Sequence, residues 1–168
     1  MKTKVYNGIE FLVMESEFGY NLVSFVKFAS KDEAEKALER ALCEYVKDDP
    51  MLDFWQVEAE LESGETLEIT LGDGEGHTPW HCGVIEYSLN GESYYESEHT
   101  DNYEDCRMIG DIKDTLAKVA KLRDGQVRRE FDEHWATIYA VKVMLYPEEF
   151  TEEEKKTVTR MLHLILHC

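Results

Sequence analysis

Basic residues are missing from the middle of this 168-residue chain: residues 48–106 contain no Lys or Arg. The same 59 positions carry seventeen Asp and Glu side chains, whereas the segments before and after them are nearly neutral. The formal net charge of −18 therefore comes almost entirely from residues 48–106, here called the acidic block. Because binding to phosphates requires Lys and Arg, this composition excludes direct contact with nucleic acid and disfavours an anionic membrane surface.

Long apolar runs and cofactor-binding motifs are missing as well. No stretch approaches the roughly 18 apolar residues of a membrane span, and the N-terminal residues lack the apolar segment of a signal peptide. The chain contains neither GxxxxGK[ST] nor GxGxxG, so we expect no nucleotide cofactor. The four cysteines are widely spaced without a CxxC pair. We therefore expect free thiols and a cytoplasmic location.

The acidic block is nevertheless expected to fold. Hydrophobic residues make up 43% of the chain, and the block itself is rich in aromatic and aliphatic side chains, which disordered acidic segments lack. Val57, Ala59 and Leu61 alternate with glutamates, which predicts a strand with one apolar and one acidic face. The block is therefore interpreted as folded β-structure with its acids on a surface.

Two hairpins are predicted within the block. A three-residue loop, Ser63-Gly64-Glu65, would keep the apolar residues of both flanking strands on one face, and it would place Glu60 opposite Glu68. The second hairpin turns at Asn90-Gly91, a strong signal for a two-residue turn, and would pair Tyr87 with Tyr94.

Outside the block, periodicity predicts three helices and four further strands. A hairpin at Asn7-Gly8 is followed by a third strand, and Ser30 with Glu33 forms a capping box at the start of the first helix. The remaining predicted elements are a helix over Asp111–Arg123, a central strand over Ala136–Leu145 and a final helix beginning at the capping box of Thr151. Residues 98–110 show no clear pattern.

This order of elements predicts an α+β fold. The sheet is expected to be antiparallel, built from a meander and hairpins, with about three helices packed mainly on one side. No repeat or linker divides the chain, so residues 1–168 are expected to form a single domain. The acidic β-rich segment 48–106 could be an insertion within that domain.

The acidic block also carries the predicted function. The acids could instead serve only to keep the protein soluble, but an ordinary solvent-exposed surface mixes positive and negative charges. Glutamates two apart on a strand are spaced by about 6.8 Å, of the same order as phosphates along a nucleic-acid strand. We therefore expect a non-enzymatic binding or inhibitor protein that engages a basic, nucleic-acid-binding protein. The predicted partner-binding residues are Glu58, Glu60, Glu62, Glu65, Glu68, Glu86, Glu92, Glu96 and Glu98.

In charge, the chain resembles two groups of known proteins. It is similar to the acidic nucleic-acid mimics of phages and mobile genetic elements, which block restriction or CRISPR nucleases. It also resembles immunity proteins that neutralise basic nuclease toxins. The resemblance is one of composition over about a third of the chain, without a shared motif, so it assigns no role to any single residue.

Two alternatives remain open. A zinc-binding domain or metal-dependent hydrolase could be centred on His77, His81, Cys82 and His99, because His and Cys are zinc ligands, although their spacing matches no common zinc motif. The chain could instead be a structural subunit that forms a homodimer through an apolar face.

Overall fold

The computed structural model describes residues 1–17, 19–72 and 82–166, and these form seven β-strands and five α-helices. The strands are β1 (Thr3–Tyr6), β2 (Ile9–Ser16), β3 (Gly19–Ser24), β4 (Phe54–Glu60), β5 (Thr66–Gly72), β6 (Ile85–Leu89) and β7 (Glu92–Ser97). The helices are α1 (Lys31–Asp48), α2 (Asp101–Val119), α3 (Asp124–Glu130), α4 (Glu133–Leu145) and α5 (Glu152–Leu166). The α+β class is confirmed, whereas the expectation of about three helices is too low.

All seven strands belong to one sheet and follow each other in sequence order, with β1 and β7 at its edges. Neighbouring strands are antiparallel except β3 and β4, which are parallel and are connected through α1. The two-residue turns at Asn7-Gly8 and Asn90-Gly91 are confirmed. Their residues have φ values of 52°, 72°, 51° and 81°, as the favoured hairpin turn requires.

The β4–β5 hairpin has a register different from the predicted one. Glu58, rather than Glu60, lies opposite Glu68, and Glu60 lies opposite Thr66. The expected clash of two carboxylates therefore occurs, but one pair further from the loop. All apolar residues of both strands still share a face, because the shift moves the register by an even number of residues.

Glycine explains where the β4–β5 loop lies. The hairpin is closed by a hydrogen bond of 2.7 Å from the N–H of Leu61 to the carbonyl of Glu65, which leaves residues 62–64 as the loop. Gly64 has a φ of +91°. Three-residue hairpin loops need a left-handed residue near their end, and glycine adopts it without steric cost.

A β-bulge in the β6–β7 hairpin changes the predicted partner of Tyr87. Leu89 pairs with Glu92, as the two-residue turn dictates, but the register then shifts and Tyr87 lies opposite Tyr95 instead of Tyr94. A bulge sets two residues of one strand against one residue of the other. Both β7 tyrosines therefore lie close to Tyr87, with ring centroids 6.1 Å (Tyr94) and 5.3 Å (Tyr95) away.

Helix α1 packs on one face of the sheet. It begins at the predicted cap, where the Ser30 hydroxyl accepts a hydrogen bond of 3.2 Å from the N–H of Glu33. Its apolar stripe, including Leu38 and Leu42, is fully buried in the same core cluster as Val57 of β4. Because side chains alternate along a strand, the glutamates between the core residues lie on the opposite face.

Helix α2 begins ten residues before the predicted start at Asp111 and includes most of the segment without a clear pattern. The apolar stripe is interrupted there by Arg107, which is 1% exposed. Its Nε donates a hydrogen bond of 2.6 Å to the carbonyl of Pro50, and its guanidinium lies 4.9 Å from the ring centroid of Trp55. Because a charged residue occupies a core position, the spacing of apolar residues in this segment does not show the period of a helix, and the start of α2 was not predicted.

The predicted central strand over Ala136–Leu145 is wrong, because this segment is helix α4. Its N-cap is Asp132, whose carboxylate accepts a hydrogen bond of 3.0 Å from the N–H of Trp135. The helix contains 13 residues, a length typical of helices rather than strands. Its apolar residues are spread around the helix, and Met144 is 79% exposed, so the segment lacks the one-sided period that indicates a helix.

The chain divides into two compact units, residues 1–110 and 111–168, and the division falls within α2. The first unit contains the sheet and α1. In the second, α5 contacts α3 and α4, and Arg160 of α5 donates hydrogen bonds of 2.7 Å to the carbonyl of Leu122 and the carboxylate of Asp124. The single domain and the insertion stay predictions.

In the described part of the chain, no helix is long and apolar enough to cross a membrane.

The expectation of free thiols is wrong for Cys43 and Cys106, which form a disulfide between α1 and α2 with their Cα atoms 5.7 Å apart. One turn further along both helices, a Cβ on Gly110 would lie only 2.1 Å from the carbonyl oxygen of Lys47. The two helices therefore run alongside each other in the same direction in this unit. The disulfide was not predictable from spacing, because its cysteines are 63 residues apart.

Candidate protein-binding surface

Five of the predicted partner-binding glutamates share the sheet face opposite α1. Glu58 and Glu60 lie on β4, Glu68 on β5 and Glu86 on β6, each between core residues, and Glu96 of β7 shares their face because it lies opposite Glu86. We call these five residues the carboxylate strip. Since β4 to β7 are adjacent strands about 4.8 Å apart, the strip crosses roughly 14 Å of the sheet.

Two pairs within the carboxylate strip are directly opposed. Glu58 lies opposite Glu68, and Glu86 lies opposite Glu96. The two pairs are not in line across the sheet: Glu68 lies opposite Ser88, two residues along β6 from Glu86. Like charges at directly opposed positions destabilise a sheet. The strip therefore concentrates negative charge at a cost to folding.

Glu68 has an acidic neighbour on each adjacent strand, Glu58 opposite it on β4 and Glu86 diagonal to it on β6. Partial burial, together with the nearby carboxylate of Glu58, its hydrogen bond to that group and the charge of Glu86, raises the pKa of Glu68. At one end of the strip the charge is partly balanced, because Lys27 Nζ lies 3.4 Å from a carboxylate oxygen of Glu60. This ion pair is largely exposed and contributes little to stability.

The other four predicted glutamates lie elsewhere. Glu62 is in the β4–β5 loop, and Glu98 follows β7. Glu65 and Glu92 line a pocket together with Lys31 of α1, on the other side of the sheet from the strip. The five strip residues share a face because side chains alternate along a strand. The other four lie in loops or at strand ends, and they are not part of the strip.

The residues of the zinc alternative are only partly described. His77 and His81 lie outside the described residues. Cys82 is buried, and its carbonyl accepts a hydrogen bond from the hydroxyl of Thr100, while His99 is exposed. Within residues 1–17, 19–72 and 82–166, no group of three His, Cys, Asp or Glu side chains is placed to hold a metal ion. Zinc binding and homodimerisation stay predictions.

A second cluster, on the α1 side of the same hairpin, was not predicted. Glu35 and Glu39 of α1, together with Tyr87, Tyr94 and Tyr95, line an open cavity of about 350 Å³, which we call the tyrosine groove. The four-residue spacing of the two glutamates places them on one helix face. The sequence could have indicated this cluster through that spacing, but only the bulge brings both β7 tyrosines to it.

Two of the tyrosine hydroxyls in the groove donate hydrogen bonds to carboxylates. Tyr87 Oη donates a hydrogen bond of 2.5 Å to Glu39, and Tyr94 Oη donates one of 2.5 Å to Glu35. Burial and these acceptors raise the pKa of both tyrosines. Both phenols are consequently neutral hydrogen-bond donors at neutral pH.

A search of protein-family models, of curated proteins and of solved structures yields no match to this chain.

Proposed function

We propose that this protein is a non-enzymatic binding protein whose carboxylate strip occupies the nucleic-acid-binding surface of a basic partner protein. The observation that supports this proposal is the alignment of Glu58, Glu68, Glu86 and Glu96 on four adjacent strands. These strands belong to a block of the chain that contains no Lys or Arg. A partner groove lined with Arg and Lys would supply the positive charge that these four strands lack.

The physical argument concerns the repulsion within the strip. A surface that serves only solubility can mix both signs of charge and avoid opposed carboxylates. Here two directly opposed pairs are kept, and Glu68 is partly buried between charged neighbours. Binding of a basic surface would relieve this repulsion, so the charge costs stability in the free protein and contributes to association. Attraction of this kind accelerates association and weakens as salt is added.

Competition with DNA tests the proposal. A restriction endonuclease, a Cas nuclease and a basic nuclease toxin are each bound to fluorescent DNA in low salt, and this protein is titrated in. We expect displacement of DNA from at least one of them, and the displacement should weaken steeply with ionic strength. If DNA stays bound to every member of the panel at low salt, nucleic-acid mimicry is refuted.

Charge-reversal variants then locate the contact. The strip variant carries Glu58→Lys, Glu86→Lys and Glu96→Lys. A control variant with the same change in net charge carries Glu148→Lys, Glu152→Lys and Glu153→Lys, all at exposed positions outside the sheet. The proposal requires the strip variant to lose displacement and the control to keep it. Equal loss in both would show that only net charge matters, and circular dichroism confirms that each variant is folded.

A further inference from the structure

We propose that the tyrosine groove is a binding site for the trimethylammonium group of a ligand. The groove lies on the α1 face of the β6–β7 hairpin, whereas the carboxylate strip lies on the opposite face. This inference therefore does not depend on the proposed function, and the two can fail separately.

The aromatic part of the groove is built from three tyrosines. The ring of Tyr87 meets that of Tyr94 at an interplanar angle of 85° and that of Tyr95 at 73°. Because Tyr87 is roughly perpendicular to both β7 rings, the three tyrosines that line the cavity differ in ring orientation. Aromatic faces attract cations, and recognition of quaternary ammonium groups by several aromatic rings is a known use of this attraction.

The groove also has the charge that a cation requires. Glu35 and Glu39 both line the cavity, and each carboxylate accepts a phenolic hydrogen bond that fixes its position. Lys31, which is not among the lining residues, already contacts this cluster: its Nζ lies 3.9 Å from the ring centroid of Tyr94 and 4.0 Å from a carboxylate oxygen of Glu35, whereas Glu39 carries the second carboxylate of the groove. The rings and carboxylates therefore favour positive charge.

The form of the cation follows from the hydrogen bonds. A primary ammonium brings three donors that all require acceptors, whereas a trimethylammonium group carries its charge without any donor. Glu35 and Glu39 each accept a phenolic hydrogen bond through one oxygen, and Glu35 is also paired with Lys31, whose Nζ lies 4.0 Å away, so an entering group meets aromatic rings and carboxylates that already have partners. A group that needs contact with aromatic faces and a nearby negative charge, but no hydrogen bond, matches this arrangement. Such a group occurs in choline-like small molecules and in trimethylated lysine side chains.

A titration followed by NMR of the tyrosine rings tests the assignment. Choline is the first probe, and 3,3-dimethylbutan-1-ol, its uncharged analogue of nearly equal shape, is the matched control. We expect choline to shift the ring resonances of Tyr87, Tyr94 and Tyr95 in a saturable way, and the uncharged analogue to shift them much less. Equal binding of both compounds, or no shift with choline and with a trimethyllysine peptide, would overturn the proposal.

Variants separate the ring from its hydroxyl. Tyr95 is 52% exposed and makes no carboxylate hydrogen bond among those described, so Tyr95→Leu should leave the fold intact while weakening choline binding by about 5- to 30-fold. Tyr95→Phe keeps the aromatic face and should bind as the parent does. Glu148→Gln, at an exposed position outside the sheet, should change affinity less than twofold. Unchanged affinity in Tyr95→Leu would contradict the assigned site.

A last comparison identifies the source of the group. A short peptide containing trimethyllysine is titrated in parallel with choline. Equal affinities would assign the groove to the head group alone and hence to a small molecule. An affinity at least tenfold higher for the peptide would indicate a methylated protein, since the additional contacts must come from the peptide.

Discussion

Neutralising Glu68 should make the protein more stable. This residue lies directly opposite Glu58, and Glu86 is its diagonal neighbour on the next strand. Glu68→Gln removes the charge but keeps the shape of the side chain and its capacity for hydrogen bonding. The free energy of unfolding at neutral pH should therefore increase, which is unusual because most single substitutions destabilise a protein.

The expected size follows from the geometry. Two like charges directly opposed on neighbouring strands destabilise a protein by up to about 1 kcal/mol. Glu86 adds to the repulsion, but solvent screens it because Glu68 is only partly buried, so we expect Glu68→Gln to gain about 1 kcal/mol. For a chain of this size, about 1 kcal/mol corresponds to a rise in melting temperature of roughly 2–4 °C. High salt should reduce the gain, because it screens the repulsion that the substitution removes.

The pH dependence has a definite sign. The pKa of Glu68 is raised in the folded protein, so folding favours its protonated form. In the parent, the associated destabilisation is present above the folded pKa and disappears as the pH falls through that pKa towards the unfolded value. Glu68→Gln should consequently exceed the parent in stability at neutral pH and match it under acidic conditions, where both side chains are uncharged.

Urea unfolding at several pH values and two salt concentrations measures these differences. Glu60→Gln is the matched control, because Glu60 shares the same face but lies opposite Thr66 and pairs with Lys27. This control should gain no stability. The reasoning is refuted if Glu68→Gln is destabilising at neutral pH, or if its gain persists unchanged in acid or is equalled by that of Glu60→Gln.

Two further predictions concern the contact between α1 and α2. The double variant Cys43→Ser, Cys106→Ser should lower the free energy of unfolding by about 4 kcal/mol, because the disulfide closes a loop between cysteines 63 residues apart. In urea unfolding, a reductant should destabilise the parent protein but not this variant. Gly110→Ala should cost at least about 2 kcal/mol in the same assay, because its Cβ would meet backbone atoms of Lys47 that cannot move independently of α1. A neutral Gly110→Ala would show that the two helices are not in close contact.

The sheet was the most predictable part of the fold, because its signals are local. Asn7-Gly8 and Asn90-Gly91 each demand two residues of positive φ, and both turns formed as expected. Strict alternation of apolar and acidic residues then determined which side of β4 and β5 is buried. The predicted register of their hairpin was wrong by two residues, because the loop is residues 62–64 instead of 63–65: Gly64, as the left-handed residue, has to end the loop rather than lie in its middle.

The helices were less predictable, because tertiary context overrides their local pattern. In α2 the buried Arg107 replaces an apolar residue and finds its partners in carbonyls more than fifty residues away in the sequence. In α4 the apolar residues surround the helix, so no period of 3.6 appears. The disulfide between Cys43 and Cys106 likewise depends on a helix contact that no sequence spacing indicates.

The candidate sites differ in predictability for the same reason. The carboxylate strip follows from alternation, so five of nine predicted glutamates lie on one face. The tyrosine groove depends on the bulge that brings Tyr94 and Tyr95 to Tyr87, and a bulge has no reliable sequence signal. Residues in regular strand positions could be assigned to a face, whereas residues displaced by an irregularity could not.

Stability and binding should therefore oppose each other at Glu68. If opposed carboxylates were kept only by chance, Glu68→Gln would raise stability and leave association with a basic partner unchanged. If the strip is a binding surface, the same substitution should raise stability and weaken that association, because the charge it removes is the charge the partner neutralises. Glu60, already paired with Lys27, should contribute less to both quantities. Measuring stability and binding on these two variants thus distinguishes a functional acidic face from one that merely tolerates its charge.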